Sequence, residues 1–178
     1  MDKIDKRYLI PVGLVAAAFI CWLAFGFFGV QALFMDQQVD EAVPLLVPAT
    51  DNPVLGGAPM PEARVSFGEG DFVQGDSTYR IKGKATLFQD GEIMKIALTD
   101  FDVTNGPDLY VYVVDIQTTD NASVKASVAE GFFVSLGKLK GNIGDQVYEL
   151  PKGFDAKNKV VSIWCQRFSR NFGSALVD

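Results

Sequence analysis

The sequence predicts an all-β domain, an antiparallel β-sandwich or barrel-like body, preceded by one N-terminal transmembrane helix and a Pro-rich tether. Three observations predict it. The chain opens on a long uncharged apolar run, continues through a Pro- and Gly-bearing stretch, and from residue 63 becomes a series of short apolar segments separated by turn residues. The expected boundaries are 1–35 for a cytoplasmic stub and membrane anchor, 36–62 for the tether and 63–178 for the β domain.

The anchor comes first. No side chain between Tyr8 and Met35 is charged, and about 20 apolar residues suffice to cross a bilayer as a helix. Lys3, Lys6 and Arg7 precede the run, and Asp36, Asp40 and Glu41 follow it. The positive-inside rule then puts the N-terminus in the cytoplasm and the rest of a single-pass chain outside the cell membrane, extracellular or periplasmic. A cleaved signal peptide is the rival. Val30-Gln31-Ala32 resembles a cleavage site, but the apolar run exceeds a signal core of about 7–15 residues. Cys21, mid-span, is expected to be an apolar filler.

The tether carries Pro44, Pro48, Pro53, Pro59 and Pro61 with Gly56 and Gly57, and few periodic apolar positions. That composition predicts an extended, semi-rigid spacer.

The strands follow. Short segments are predicted at 71–73 and 79–88, with a hairpin turn at 89–92 and a return strand at 93–101. Residues 108–114 are apolar on both faces, as in a central strand. Further strands are expected at 132–136, 147–150, 160–165 and 174–177. No helix is expected beyond the anchor. In VVSIWCQRF, alternation puts Val161, Ile163 and Cys165 on one face and Val160, Ser162 and Trp164 on the other.

Composition limits the chemistry. The 178 residues hold 22 Asp and Glu against 16 Lys and Arg, which argues against nucleic-acid binding. There is no histidine. Ser-His-Asp and Cys-His nucleophiles, His-ligated zinc and blue copper are therefore excluded within one chain. No classical catalytic constellation remains.

Three local patterns stand out. Cys165 is the sole cysteine outside the anchor; it is either a small buried hydrophobe or a functional thiol, since extracytoplasmic structural cysteines normally pair. Asp100, Asp102, Asn105 and Asp108 pack four oxygen-bearing side chains into nine positions, a candidate Ca²⁺ cluster set against ordinary turn chemistry at 105–108. Asn121-Ala122-Ser123 is a glycosylation sequon in an expected loop. Gly141-Asn142-Ile143-Gly144-Asp145 lacks the lysine of a phosphate loop and is expected to be a tight connection.

LTDFDVTNGPDLYVYV (98–113), LGKLKGNIGDQVYELP (136–151) and VSIWCQRFSRNFGSALV (161–177) occur in this order. Together they closely resemble the DM-thirteen domain family, which is proposed to transfer electrons and often stands beside DOMON domains. The resemblance covers about residues 70–177. It implies an all-β domain whose characteristic cysteine, after tryptophan, is Cys165, acting in redox chemistry or as a cofactor ligand, with thiolate-ligated haem as one form. Trp164 and Phe168 would shield it. A His found in many members ahead of the first hairpin's glycine is Tyr79 here, before Gly83. The resulting expectation is a surface redox accessory with a redox partner protein at the cell surface. The alternative is a non-catalytic binding or adhesion module in which Cys165 only packs.

Overall fold

The computed structural model describes residues 6–23, 26, 35–48 and 64–178. The chain divides into two units, Met1–Met35 and Asp36–Asp178.

In the first unit, α1 spans Lys6–Trp22 and contains Pro11. Val12, Leu14, Val15, Phe19, Ile20 and Trp22 are all exposed. At 100° per residue these positions surround the helix axis. No helix among the described residues is long and apolar enough to cross a membrane. The later part of the expected span, 24–25 and 27–34, lies outside the described residues.

The second unit is a β-sandwich. One sheet contains β1 (Leu46–Pro48), β2 (Arg64–Asp71), β4 (Ile81–Asp90), β5 (Ile93–Val103) and β8 (Gln146–Glu149), in the order β1-β2-β4-β5-β8. The other contains β3 (Val73–Gln74), β6 (Leu109–Val114), β7 (Phe133–Lys138), β9 (Lys159–Cys165) and β10 (Arg170–Val177), in the order β3-β10-β9-β6-β7. All these pairings are antiparallel except β1 with β2.

The core between the sheets is built from alternate residues. Leu87, Ile96, Leu98, Val111, Ile163, Cys165 and Phe172 belong to it. One corner closes tightly. The Glu69 N–H donates to the Asp178 carbonyl at 3.2 Å, and a Cβ on Gly70 would lie 1.9 Å from the Leu176 carbonyl oxygen. Only a residue without a side chain permits that approach.

The second sheet is buried on both faces. Its outer face holds Tyr112, Val114, Val160 and Trp164 against Val124 and Val128. The last two come from α2 (Asn121–Ala129), a helix that overturns the expectation of none beyond the anchor. Only Val124 and Val128 are buried on it, so the sequence carries a single i,i+4 apolar pair and too little periodicity to register. Asp120 caps it, its side chain accepting from the Ser123 N–H.

The first half of the expected tether is not a free spacer. The Val39 N–H donates to the Ile143 carbonyl and the Glu41 N–H to the Asp145 carbonyl, both at 2.9 Å. Leu46 then pairs with Arg64 as β1 joins β2. Residues 49–62 of that segment lie outside the described residues. The glycine-rich connection is indeed tight: Gln146, fully buried, donates to the Gly141 carbonyl at 2.8 Å and accepts from the Lys140 and Gly141 amides and the Tyr148 hydroxyl.

Candidate functional site

Cys165 ends β9, paired with Leu109 of β6 and Arg170 of β10. Alternation turns it inward with Val161 and Ile163, as the sequence predicts, and it is 0 % exposed. Its Sγ–H donates to the Pro107 carbonyl at 3.0 Å. The Phe168 and Arg167 backbone N–H groups are directed at the sulfur.

Two turns therefore cover the thiol. One contains Pro107 and Asp108, with Asp108 at φ 55°. The other is the exposed 166–169 connection, with Ser169 at φ 49°. They are joined by the Gln166 N–H on the Asp108 carbonyl at 3.0 Å and by Arg167, whose Nε and Nη2 lie 2.7 and 2.6 Å from Asp108 Oδ2. Lys138 Nζ adds a 3.4 Å contact to Asp108 Oδ1.

Burial pushes the Cys165 thiol pKa up. The Phe168 and Arg167 amides oppose the shift, and the Asp108 carboxylate adds to it. Arg167 is not a dedicated activator, because its guanidinium is held by Asp108. Burial alone would also raise the Asp108 carboxyl; the Arg167 and Lys138 contacts outweigh it and hold that carboxyl below its usual range.

The expected shield does not assemble. Trp164 points to the opposite face, 6.3 Å from the Tyr112 ring centroid. Neighbouring residues on a strand cannot share a face. Phe168 is 53 % exposed, and only its backbone N–H serves the sulfur. With the sulfur fully enclosed by core side chains and two turns, a haem does not fit against Cys165 in this arrangement.

The four oxygen-bearing residues do not converge either. The Asp100 N–H donates to Asp145 Oδ1 at 3.0 Å, Asp102 pairs with Lys82 at 3.3 Å, Asn105 donates to Asp36 at 2.7 Å, and Asp108 holds Arg167. Asp100 and Asp102 line an open cleft of about 550 Å³ with Asp40, Asp145 and Lys82. Asn105 and Asp108 are not part of it. Among the described residues, no group of three or more His, Cys, Asp or Glu is placed to hold a metal. Residues 107–108 form a turn, and Asp108 rather than Asn105 or Gly106 takes positive φ. Gly106 is needed because a Cβ there would lie 2.7 Å from the Phe172 ring.

Asn121 lies in the first turn of α2, not in a loop. Its Nδ2 donates to Asp76 Oδ1 at 2.9 Å, and its Oδ1 accepts from Asn171 Nδ2 at 3.0 Å. Asn171, Ser162 and Ser174 continue this network and are fully buried. Lys125 reaches Asp76 Oδ1 at 3.0 Å. Nothing in the sequence pairs residues 76, 121 and 171, so this network escaped the sequence reading. Tyr79 stacks on Phe172 at 3.7 Å, nearly parallel, as a packing residue.

An all-β sandwich with one thiol gripped at the end of a core strand thus defines the class of this protein. The chain belongs to the family described as Electron transfer DM13, whose profile matches residues 71–177. No curated protein and no solved structure gives a significant match.

Proposed function

We propose that this chain is a single-pass membrane protein, N-terminus cytoplasmic, displaying an electron-transfer accessory domain outside the membrane, with Cys165 as its redox group. The membrane part is supported by the uncharged run of residues 8–35 and by large apolar side chains left exposed around α1. An apolar surface on all sides of a helix calls for an apolar surround.

One observation carries the redox part: the sulfur is buried, yet it sits one residue from an exposed turn whose amides point at it. Opening that turn exposes the thiol without dismantling the core. The chemistry that fits is exchange with a disulfide of a partner protein. Sγ–H gives its proton to water and the thiolate attacks one partner sulfur. A new S–S bond joins Cys165 to that sulfur, and the second partner sulfur leaves as a thiolate with the electron pair of the broken bond. Cys21 belongs to the other unit and is not assigned to this exchange.

The full burial and raised pKa of Cys165 favour a second reading, a non-catalytic surface binding or adhesion module in which the thiol only packs. One experiment separates them. The full chain carrying Cys21→Ala, in detergent micelles, is treated with an aromatic disulfide under native conditions. Labelling of Cys165 well below the urea midpoint supports exchange. Labelling that waits for the global transition supports packing. An absorption spectrum of the membrane-extracted protein tests the haem alternative; a Soret band would overturn the thiol-exchange reading.

A further inference from the structure

Residues 36–41 precede the family match, yet they occupy a groove built from the matched domain. The Gln37 N–H donates to Asn142 Oδ1 at 2.6 Å, and Asn142 Nδ2 donates to Asp36 Oδ1 at 2.9 Å. Gln38 bridges Ile143 in parallel. Glu41 accepts from Lys140 Nζ at 2.7 Å and from the Val147 N–H at 2.8 Å.

The groove is shaped for this backbone. A Cβ on Gly141 would lie 2.4 Å from the Gln37 carbonyl oxygen. One on Gly144 would lie 2.0 Å from the Val39 carbonyl oxygen, at φ +98°. Asn142, itself buried, has its amide committed to the segment. Side chains at either glycine would close the groove.

The seated segment contributes little to the core. Of residues 35–46, none is fully buried, and only Val39, Glu41, Val43, Pro44 and Leu46 are half-buried. Its hold is polar and lies at the surface. Segments with few buried apolar contacts open locally, well before the domain unfolds.

We propose that residues 36–41 form a releasable strap, seated in the 140–147 groove, with Glu41 as its clasp. Seated, the strap makes the β domain begin at residue 36. Released, residues 36–41 become free chain that spans up to about 20 Å when extended.

The test is hydrogen exchange on the full chain in detergent micelles, comparing the Val39 and Glu41 amides with Val161 and Ile163 in β9. In the native chain the strap amides should be protected, but should exchange faster than β9 and with little dependence on low urea. Glu41→Gln should speed strap exchange about tenfold, the scale of one lost charge-assisted contact, and leave β9 unchanged. Gly144→Ala, which collides with the seated backbone, should do so more strongly. Strap amides that exchange only with β9 would make the segment a permanent strand and overturn the proposal. So would unprotected strap amides in the native chain, or no response to Glu41→Gln. None of these readouts depends on membrane insertion or on Cys165.

Discussion

Arg167→Gln should raise the native-state reactivity of Cys165 without loosening the core. Arg167 makes two contacts to one oxygen of Asp108, at 2.7 and 2.6 Å, and each side chain is 28 % exposed. A fully exposed ion pair contributes about 0.2–1 kcal/mol, and a hydrogen bond to a charged group about 1.5–3 kcal/mol. A partly exposed fork falls between these, at about 1 kcal/mol. The Gln166–Asp108 backbone bond and the Cys165–Pro107 bond remain. Opening of the cover should therefore rise about fivefold. The assay is labelling by excess aromatic disulfide in a Cys21→Ala background, across a urea series from zero to the midpoint. Global stability is measured on the same sample by urea unfolding. The expected result is a fivefold faster rate at zero urea with a smaller change in global stability. The reasoning fails if the rate rises only by the factor that the global unfolding constant rises. It fails equally if the pair is lost and the rate does not move.

Other outcomes follow from the same geometry. Gly70→Ala should cost more than about 3 kcal/mol or prevent folding, because its Cβ would lie 1.9 Å from the Leu176 carbonyl oxygen; a normal urea midpoint would refute the closed corner. Burial opposes ionisation of Asp76, Asp108 and Glu41, but their hydrogen-bond partners and cations hold each carboxyl below its usual range. A lowered folded pKa means stability that is present above the unfolded value and lost as pH falls, so the urea midpoint should drop below about pH 4, and Asp76→Asn should weaken that dependence. Burial raises the Cys165 and Tyr148 pKa values. The stability they contribute is complete below the unfolded values and is lost as pH rises past about 9; Cys165→Ser should remove the thiol's part of that alkaline loss. Protease added outside intact cells should remove the β domain and leave residues 1–35 in the membrane fraction, and mature protein released with an N-terminus near Leu33 would refute the anchor.

Much of the sandwich was legible because strand alternation is a short-range rule. Val161, Ile163 and Cys165 share a face as their spacing requires. The apolar faces of β6 signalled burial on both sides, though not that a helix covers one of them. What could not be read depends on backbone contacts across long separations. Gln37 and Asn142 stand 105 positions apart, and no pattern of residue types announces that bond. Composition misled at 36–48, since proline content cannot say whether a segment stands free or lies in a groove. Gly141 and Gly144 did carry the signal, but a glycine required by a passing backbone reads the same as one required by a turn.

The cysteine shows the same limit in chemical form. Sequence leaves a lone thiol either functional or inert, and burial by itself does not decide between them. A thiol at the centre of β9 would be reached only by unfolding. Cys165 is instead at the strand's end, below two turns held by backbone hydrogen bonds and by the partly exposed ion pairs of Asp108 with Arg167 and Lys138. The free energy that guards it is therefore set by those few contacts rather than by the core. Inertness and function become two ranges of one measurable quantity, the opening of the 107–108 and 166–169 turns. A thiol with a raised pKa is also protected from stray oxidation while it is covered, because the thiolate is the reactive species. Once uncovered, it loses the burial that raised its pKa. Cover and activation are thus opposite settings of the same two turns, and a partner that moves the 166–169 turn would change both at once.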